Sequence, residues 1–143
     1  NNVSASIGST MKPAGFENCQ GIITAYYVKD PTDPQWANDK DFQGWMAFMK
    51  KYYPAGSLAQ GENAYGYAVA NLLIHVLNQA GDDLTRANIM KQAASLREVP
   101  LPLLLPGIAV STDSEDYLPF QQLRLRRFDG KSWVAFGDIL DDR

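Results

Sequence analysis

A strand-like run that ends in two closely spaced prolines is the feature that most constrains this chain. The segment "ITAYYVKDPTDPQW" (Ile23–Trp36) begins with β-branched and aromatic residues, which favour a pleated surface. Pro31 and Pro34 then fix φ, supply no N–H group and bias the residues before them toward extended geometry. We therefore expect the segment after the strand to be a stiff connection between two parts of the molecule, outside any sheet or helix.

The remaining pattern predicts an α/β chain in the order strand, strand, three helices and hairpin. Short strands are expected at Asn2–Ile7 and Gly21–Val28, with a helical turn in Thr10–Gln20 between them. Apolar residues point to both faces of the second strand, which indicates a sheet covered on both sides. Near the end of the chain, Asp129-Gly130 separates two alternating runs, as in a β-hairpin.

Three segments between the strands have helical spacing of their apolar residues. They are Asp41–Tyr53, Ala64–Ala80 and a shorter one that follows "GDDLT". Gly81 stands where a glycine C-cap belongs, and Thr85 is a good N-cap for the third helix. The second helix is predicted to bury one stripe, formed by Tyr65, Ala68, Val69, Leu72, Leu73, Val76, Leu77 and Ala80.

Composition excludes several classes of protein. The chain has 143 residues, 45% of them hydrophobic, which suits a packed domain. Net charge is −3 with the basic residues spread along the chain, so nucleic acid is not an expected partner. The densest basic run, "RLRRF" (Arg124–Phe128), is interpreted as the wet face of a strand. The longest apolar run contains three prolines and is too short to span a bilayer.

No residue pattern indicates catalysis, a metal or a cofactor. The single histidine, His75, lacks an orienting partner, and the single cysteine, Cys19, has no cluster of metal ligands around it. The segment "ENAYGYA" offers Asn63, Tyr65 and Tyr67 at the expected start of a helix. A helix N-terminus has free N–H groups that suit a carboxylate ligand, but two tyrosines there are equally typical of simple packing. Both interpretations remain open.

Several segments, taken in order, resemble the C-terminal part of the branched-chain amino-acid-type solute-binding proteins of ABC importers. The similarity covers nearly the whole chain and depends on order and spacing. The segments that carry it are "GIITAYYVKDPTDPQW", "AYGYAVANLLIHVLNQAGDDLTRANIMKQAASL", "LLLPGIAVST" and "QLRLRRFDGKSWVAFGDI". The resemblance implies part of a type I periplasmic binding protein fold, composed of pieces of two Rossmann-like lobes.

The resemblance also implies how the chain is divided. Second-lobe strands would occupy residues 1–28, a hinge crossing 29–34, first-lobe helices 35–105, a return crossing 106–118 and the C-terminal hairpin of the second lobe 119–143. Both lobes would then be incomplete, with bare strand edges and apolar faces. We therefore expect the sequence to be a fragment of a protein roughly two to three times longer, whose remainder is a partner of these residues.

The implied function is to trap a small solute between the lobes in the periplasm or outside a bacterial cell, and to deliver it to a membrane permease. Such a protein is not an enzyme and needs no cofactor. The implied ligand-binding positions are Asn2, Ser4, Ser6, Asn63, Tyr65 and Tyr67. The stretch "NNVSAS" lacks the acidic residue with which relatives hold a ligand ammonium, which leaves room for an aromatic or aliphatic carboxylate besides an amino acid. A ligand-sensing regulatory domain on the same two-lobed scaffold is the alternative, and an enzyme is a more distant one.

Overall fold

The computed structural model describes residues 5–142 as a mixture of helices and strands with one three-stranded antiparallel sheet. The sheet order is β1-β2-β3. The elements are a π-helical turn (Ile7–Met11), α1 (Lys12–Ala14), α2 (Phe16–Cys19), β1 (Ile23–Tyr26), a 3-10 turn (Pro34–Trp36), α3 (Lys40–Tyr52), α4 (Gly61–Ala80), α5 (Arg86–Ala93), β2 (Gln122–Phe128) and β3 (Trp133–Asp141). At this level the predicted α/β class is confirmed.

The predicted C-terminal hairpin is confirmed as β2 and β3. Phe128 pairs with Trp133 at its closed end, and the Asp129 carboxylate accepts hydrogen bonds from the N–H groups of Lys131 and Ser132, both at 2.8 Å. Gly130 has a φ of +101°, which glycine adopts without strain. The turn is thus built by an aspartate side chain together with a glycine.

The interpretation of Arg124–Phe128 as a wet strand face was wrong. Arg126 shares its face of the sheet with Phe128 and Trp133, and only 3% of its surface is exposed. The helical turns of residues 7–19 pack against this same face through Ile7, Met11 and Cys19. The aromatic residues therefore decide which face is buried, and Arg126 is buried with them.

The other face of the sheet is apolar but largely open. Leu125 and Leu123 lie on it, opposite Ala25 and Leu140 respectively. Ile23, Val134 and Leu140 on this face are each close to half exposed. The sequence pattern of apolar residues on both sides is therefore present, but residues 5–142 leave much of one side exposed.

The predicted first strand was wrong where the structure describes it. Ile7 begins a helical turn rather than ending a strand, and residues 2–4 lie outside the described range. The chain bends here because the Ile7 and Gly8 N–H groups bond to the side chains of Asp30 and Thr32, at 2.7 and 2.8 Å. A Cβ atom on Gly8 would lie 2.7 Å from Thr32 Cγ2, so the close approach requires glycine.

The three predicted helices are confirmed, but the predicted stripe on α4 is only partly buried. Asp39 and Thr85 cap α3 and α5 by accepting hydrogen bonds from the N–H groups of Phe42 and Asn88. On α4 the buried residues are Ala64, Ala68, Val76 and Ala80, whereas Tyr65, Val69 and Leu73 are exposed. Small alanines face the rest of the chain, which leaves the bulkier part of the stripe uncovered.

Three apolar clusters form the interior. The sheet cluster contains Ile7, Met11, Cys19, Phe128 and Trp133, so the Cys19 side chain is packed in the interior. The second cluster centres on Trp45 of α3, and the third on the apolar segment around Leu104, against which α4 and α5 pack. Among residues 5–142, we find no helix with the length and apolar character that crossing a membrane requires.

Asp33 joins the Pro-rich segment to the hairpin. Its side chain is buried and accepts hydrogen bonds from the Trp133 N–H at 2.9 Å, the Gln35 N–H at 3.1 Å and Gln35 Nε2 at 2.7 Å. Two of these donors belong to the backbone, and the bond from the Trp133 N–H is buried, so loss of the carboxylate leaves that buried N–H group without its acceptor.

We predict that Asp33→Ala lowers the free energy of unfolding by about 3 kcal/mol, because the buried Trp133 N–H and the Gln35 donors lose a charged acceptor. Urea denaturation at pH 7 measures this. Asp82→Ala is the matched control, since Asp82 is exposed, and it should change stability by no more than about 0.5 kcal/mol. Equal effects of the two substitutions would contradict the role given to Asp33.

Candidate functional site

A cavity of about 460 Å³ lies between the face of the sheet that carries Arg126 and the start of α4. Residues 27–31, which follow β1, also line the cavity. The lining residues are Ala5, Ser6, Ser9, Tyr26, Tyr27, Val28, Lys29, Asp30, Pro31, Ala59, Gln60, Gly61, Glu62, Tyr65 and Arg126. Its size suits a small organic solute.

Two chain segments run side by side along one edge of this cavity. The Lys29 N–H donates to the Leu103 carbonyl at 2.7 Å, and the Leu105 N–H donates to the Tyr27 carbonyl at 2.8 Å. Val28 and Leu104 thus form an antiparallel bridge. This hydrogen-bonded pair of extended segments, residues 27–29 and 103–105, is one of the connections between the sheet and the helices.

Asp30 fixes the position of Ser6 at the cavity wall. The Asp30 side chain is 3% exposed. Its Oδ2 accepts from the Ile7 N–H at 2.7 Å, and its Oδ1 accepts from the Thr32 N–H and hydroxyl at 2.9 and 2.6 Å. Ser6 Oγ lies 3.4 Å from the same Oδ1. Both carboxylate oxygens are therefore engaged by the protein itself.

Lys29 borders the cavity, but its ammonium group is bound elsewhere. Lys29 Nζ lies 2.8 Å from both oxygens of Asp39 and 3.8 Å from the exposed Asp41. Desolvation tends to raise the pKa of Asp39, but hydrogen bonds from Lys29 and the Phe42 N–H, with the Lys29 charge, outweigh it and lower that pKa. This ion pair connects the start of α3 to the segment that follows β1.

Arg126 is the most unusual group at the site. Its guanidinium carbon lies 5.0 Å from the ring centroids of both Tyr26 and Trp133, a cation–π arrangement. Its Nε and Nη1 atoms are buried and have no hydrogen-bond acceptor among residues 5–142. Burial lowers the pKa of Arg126 to about 10, opposed by the charges of Asp30, Tyr26 and Asp33. The side chain is therefore cationic at neutral pH.

Tyrosines and a phenylalanine form an aromatic wall. The ring centroids of Tyr26 and Tyr27 are 5.3 Å apart, and Phe120 lies 4.8 Å from Tyr27 and 6.2 Å from Tyr65. Burial is the largest cause of a raised pKa in both Tyr26 and Tyr27. Both phenols therefore keep their protons at neutral pH, and they present apolar rings with O–H donors.

The sequence-predicted site residues separate into three groups. Ser6 and Tyr65 line the same cavity. Asn63 and Tyr67 are not among its lining residues: Asn63 Nδ2 donates to the Ser57 carbonyl at 2.8 Å, and the Tyr67 ring packs 5.0 Å from Phe48. Asn2 and Ser4 lie outside the described residues.

The sequence-predicted site residues did not include the four charged lining residues, Lys29, Asp30, Glu62 and Arg126. Arg126 alternates with Phe128, so a buried Phe128 places Arg126 on the buried face, and this signal was present in the sequence. Glu62 is exposed and lies in the first turn of α4, which begins at Gly61 rather than at the predicted Ala64. That earlier start places Glu62 in the helix, one turn before Tyr65.

Within residues 5–142, no group of three or more histidine, cysteine or acidic side chains could hold a metal ion. Comparison with protein-family models, with curated proteins and with solved structures found no match to this chain. The geometry of the cavity therefore carries the functional interpretation.

We predict that Asp39→Asn lowers stability by about 2 kcal/mol at pH 7, because the buried Lys29 ammonium loses its partner. A carboxylate whose pKa is lowered by folding stabilises the fold above its unfolded pKa of about 4, and this contribution disappears as pH falls through the folded value. The difference between parent and variant should therefore shrink below about pH 4. Urea denaturation between pH 3 and pH 7 measures it.

Asp41→Asn is the matched control, because Asp41 is exposed and 3.8 Å from the same ammonium. It should change stability by less than about 0.5 kcal/mol at pH 7. A difference between parent and Asp39→Asn that stays constant from pH 3 to pH 7 would show that the ion pair does not stabilise the fold.

Proposed function

We propose that this chain is part of a solute-binding receptor of an ABC importer, with the type I periplasmic binding architecture. The observation that carries the proposal is the cavity itself. It lies between the sheet, which has the apolar cluster around Trp133, and the start of α4, and the bridged extended segments around Val28 and Leu104 border it. That arrangement is what two lobes joined by a hinge require.

In this proposal the chain contributes pieces of two Rossmann-like lobes. Residues 1–28 and the hairpin in 119–143 belong to the second lobe, and the helices in 35–105 to the first. Segments 29–34 and 106–118 are the crossings. Support comes from β1 lying beside β2 in one sheet although nearly a hundred residues, including all three long helices, separate them in sequence.

The proposed mechanism is binding and release without covalent chemistry. A solute that contacts both sides of the cavity stabilises the closed arrangement more than the open one, and so shifts the population toward closure. The two parts of the molecule would change their relative orientation about the proposed crossings at residues 29–34 and 106–118. The membrane permease would bind the closed, solute-loaded form, in the periplasm or outside the cell.

The remainder of the same polypeptide is the second proposed partner. The open face of the sheet, with Ile23, Val134 and Leu140, and the exposed residues Val69 and Leu73 of α4 are apolar surfaces of the kind that another layer covers. The two-lobed architecture supplies such a layer on each side.

We predict that a solute that binds this cavity raises the melting temperature by about 10 °C at a concentration one hundred times its Kd, because it binds the folded state alone. A thermal-shift screen of amino acids and of aromatic and aliphatic acids identifies it. Small-angle X-ray scattering should then show a smaller radius of gyration with solute bound.

The variant Tyr65→Ala removes part of the aromatic wall and should weaken binding about tenfold, a typical loss for a large contact ring. Tyr117→Ala is the matched control, since Tyr117 is exposed and does not line the cavity. If the two variants bind the solute equally well, or if the bound protein does not contract, the proposal is wrong.

A further inference from the structure

Arg126 has hydrogen-bonding capacity that the protein leaves unused. A buried charge is costly unless it is paired and hydrogen-bonded, and buried arginines normally meet that requirement with a carboxylate. Here the Nε and Nη1 atoms find no acceptor among the described residues, although the side chain is 3% exposed. Both atoms carry N–H groups of the guanidinium, and each is a charged donor that can bond to an anionic oxygen.

The nearby aspartates cannot take this role as the chain is folded. Asp30 and Asp33 both act electrostatically on Arg126. The oxygens of Asp30 accept from Ile7 and Thr32, and those of Asp33 accept from Gln35 and Trp133. Their charges partly balance that of Arg126, but every one of their four oxygens already accepts a hydrogen bond from another residue, and none accepts from Arg126 Nε or Nη1.

We propose that Arg126 binds a carboxylate group of the solute in this cavity, and that the solute is an organic acid with an apolar or aromatic body. This assignment rests on the proposed solute-binding function. The carboxylate accepts a hydrogen bond from the guanidinium, and the body of the solute packs against Tyr26, Tyr27 and Tyr65.

Glu62 sets the polarity of the cavity. It stands on the α4 side, whereas Arg126 stands on the sheet side, so the two walls carry opposite charges. A monocarboxylate is therefore attracted toward Arg126 and repelled from Glu62. The neutral phenol of Tyr26, whose ring lies against the guanidinium, is a further donor on the Arg126 side.

Matched acids and amides test the assignment. Isothermal titration with 3-phenylpropionate, benzoate and their amides should show that the acids bind and that the amides bind at least about 50-fold more weakly, because a desolvated charged contact is lost. L-Phenylalanine and phenethylamine complete the series, and the amine, which lacks a carboxylate, should not bind.

Arg126→Met removes the guanidinium and keeps an apolar side chain between the two rings. It should abolish acid binding, and its melting temperature should stay within about 5 °C of the parent, because a buried charge without hydrogen bonds contributes little to stability. Arg126→Lys keeps the charge without the guanidinium and should retain weak preference for acids over amides. Arg127→Met is the matched control, since Arg127 is exposed on the other face of the sheet.

The outcomes separate this assignment from the receptor function. Equal binding of acid and amide, or undiminished acid binding by a folded Arg126→Met, would overturn the assignment and leave the receptor function standing. If Arg126→Met does not fold, Arg126→Lys and the acid–amide comparison on the parent still decide. Failure of every acid to bind the parent would overturn the assignment, and the receptor function would fall with it only if no compound of the thermal-shift screen bound.

Discussion

Two buried aspartates in the Pro-rich segment hold together the parts of the molecule that the rest depends on. Asp30 binds the Ile7 N–H, and Asp33 binds the Trp133 N–H one hundred residues further along the chain. Both bonds are charge-assisted and buried, so each is stronger than an ordinary backbone bond. Pro31 and Pro34 supply no N–H groups and limit the conformations between the two carboxylates. The Pro-rich segment therefore fixes the positions of the N-terminal turns, the hairpin and the start of α3 relative to one another.

The same hydrogen bonds of Asp30 and Asp33 explain why Arg126 Nε and Nη1 have no acceptor among the described residues. If Asp30 and Asp33 turned toward Arg126, the backbone N–H groups of Ile7 and Trp133 would lose their acceptors, and the Pro-rich segment would no longer be held to the N-terminal turns and the hairpin. Their carboxylates therefore balance the charge of Arg126 from a distance and leave its donors available. Stability and binding are thus linked at one point, since the interactions that fix the fold also prevent the arginine from being neutralised internally.

Local patterns in the sequence were sufficient for the helices, the hairpin and the Pro-rich segment, because caps, period and turn residues act over a few positions. They were insufficient for the faces. Arg126 was assigned to solvent since alternation with leucine usually means that leucine is inside, but Phe128 and Trp133 share its face and have more apolar surface to bury. Ser6 and Tyr65, which were predicted to bind a ligand, line the cavity, while Glu62 was not included because the start of α4 was placed three residues late. Which residues meet across a cavity depends on long-range packing that periodicity does not record.

The surfaces that remain open follow from the same distinction. Leu73 and Val69 continue a helical stripe, and Ile23 and Val134 continue a strand alternation, so all four have the pattern of buried residues. Their exposure is not scattered: it lies on one face of α4 and on one face of the sheet. The cavity walls, by contrast, combine polar and aromatic groups that suit contact with water in one state and with a solute in another. The chain thus presents two kinds of surface, one with the character of an interior and one with the character of a binding site. The two-lobed proposal accounts for both, because its remaining layers would cover the first kind and leave the second accessible.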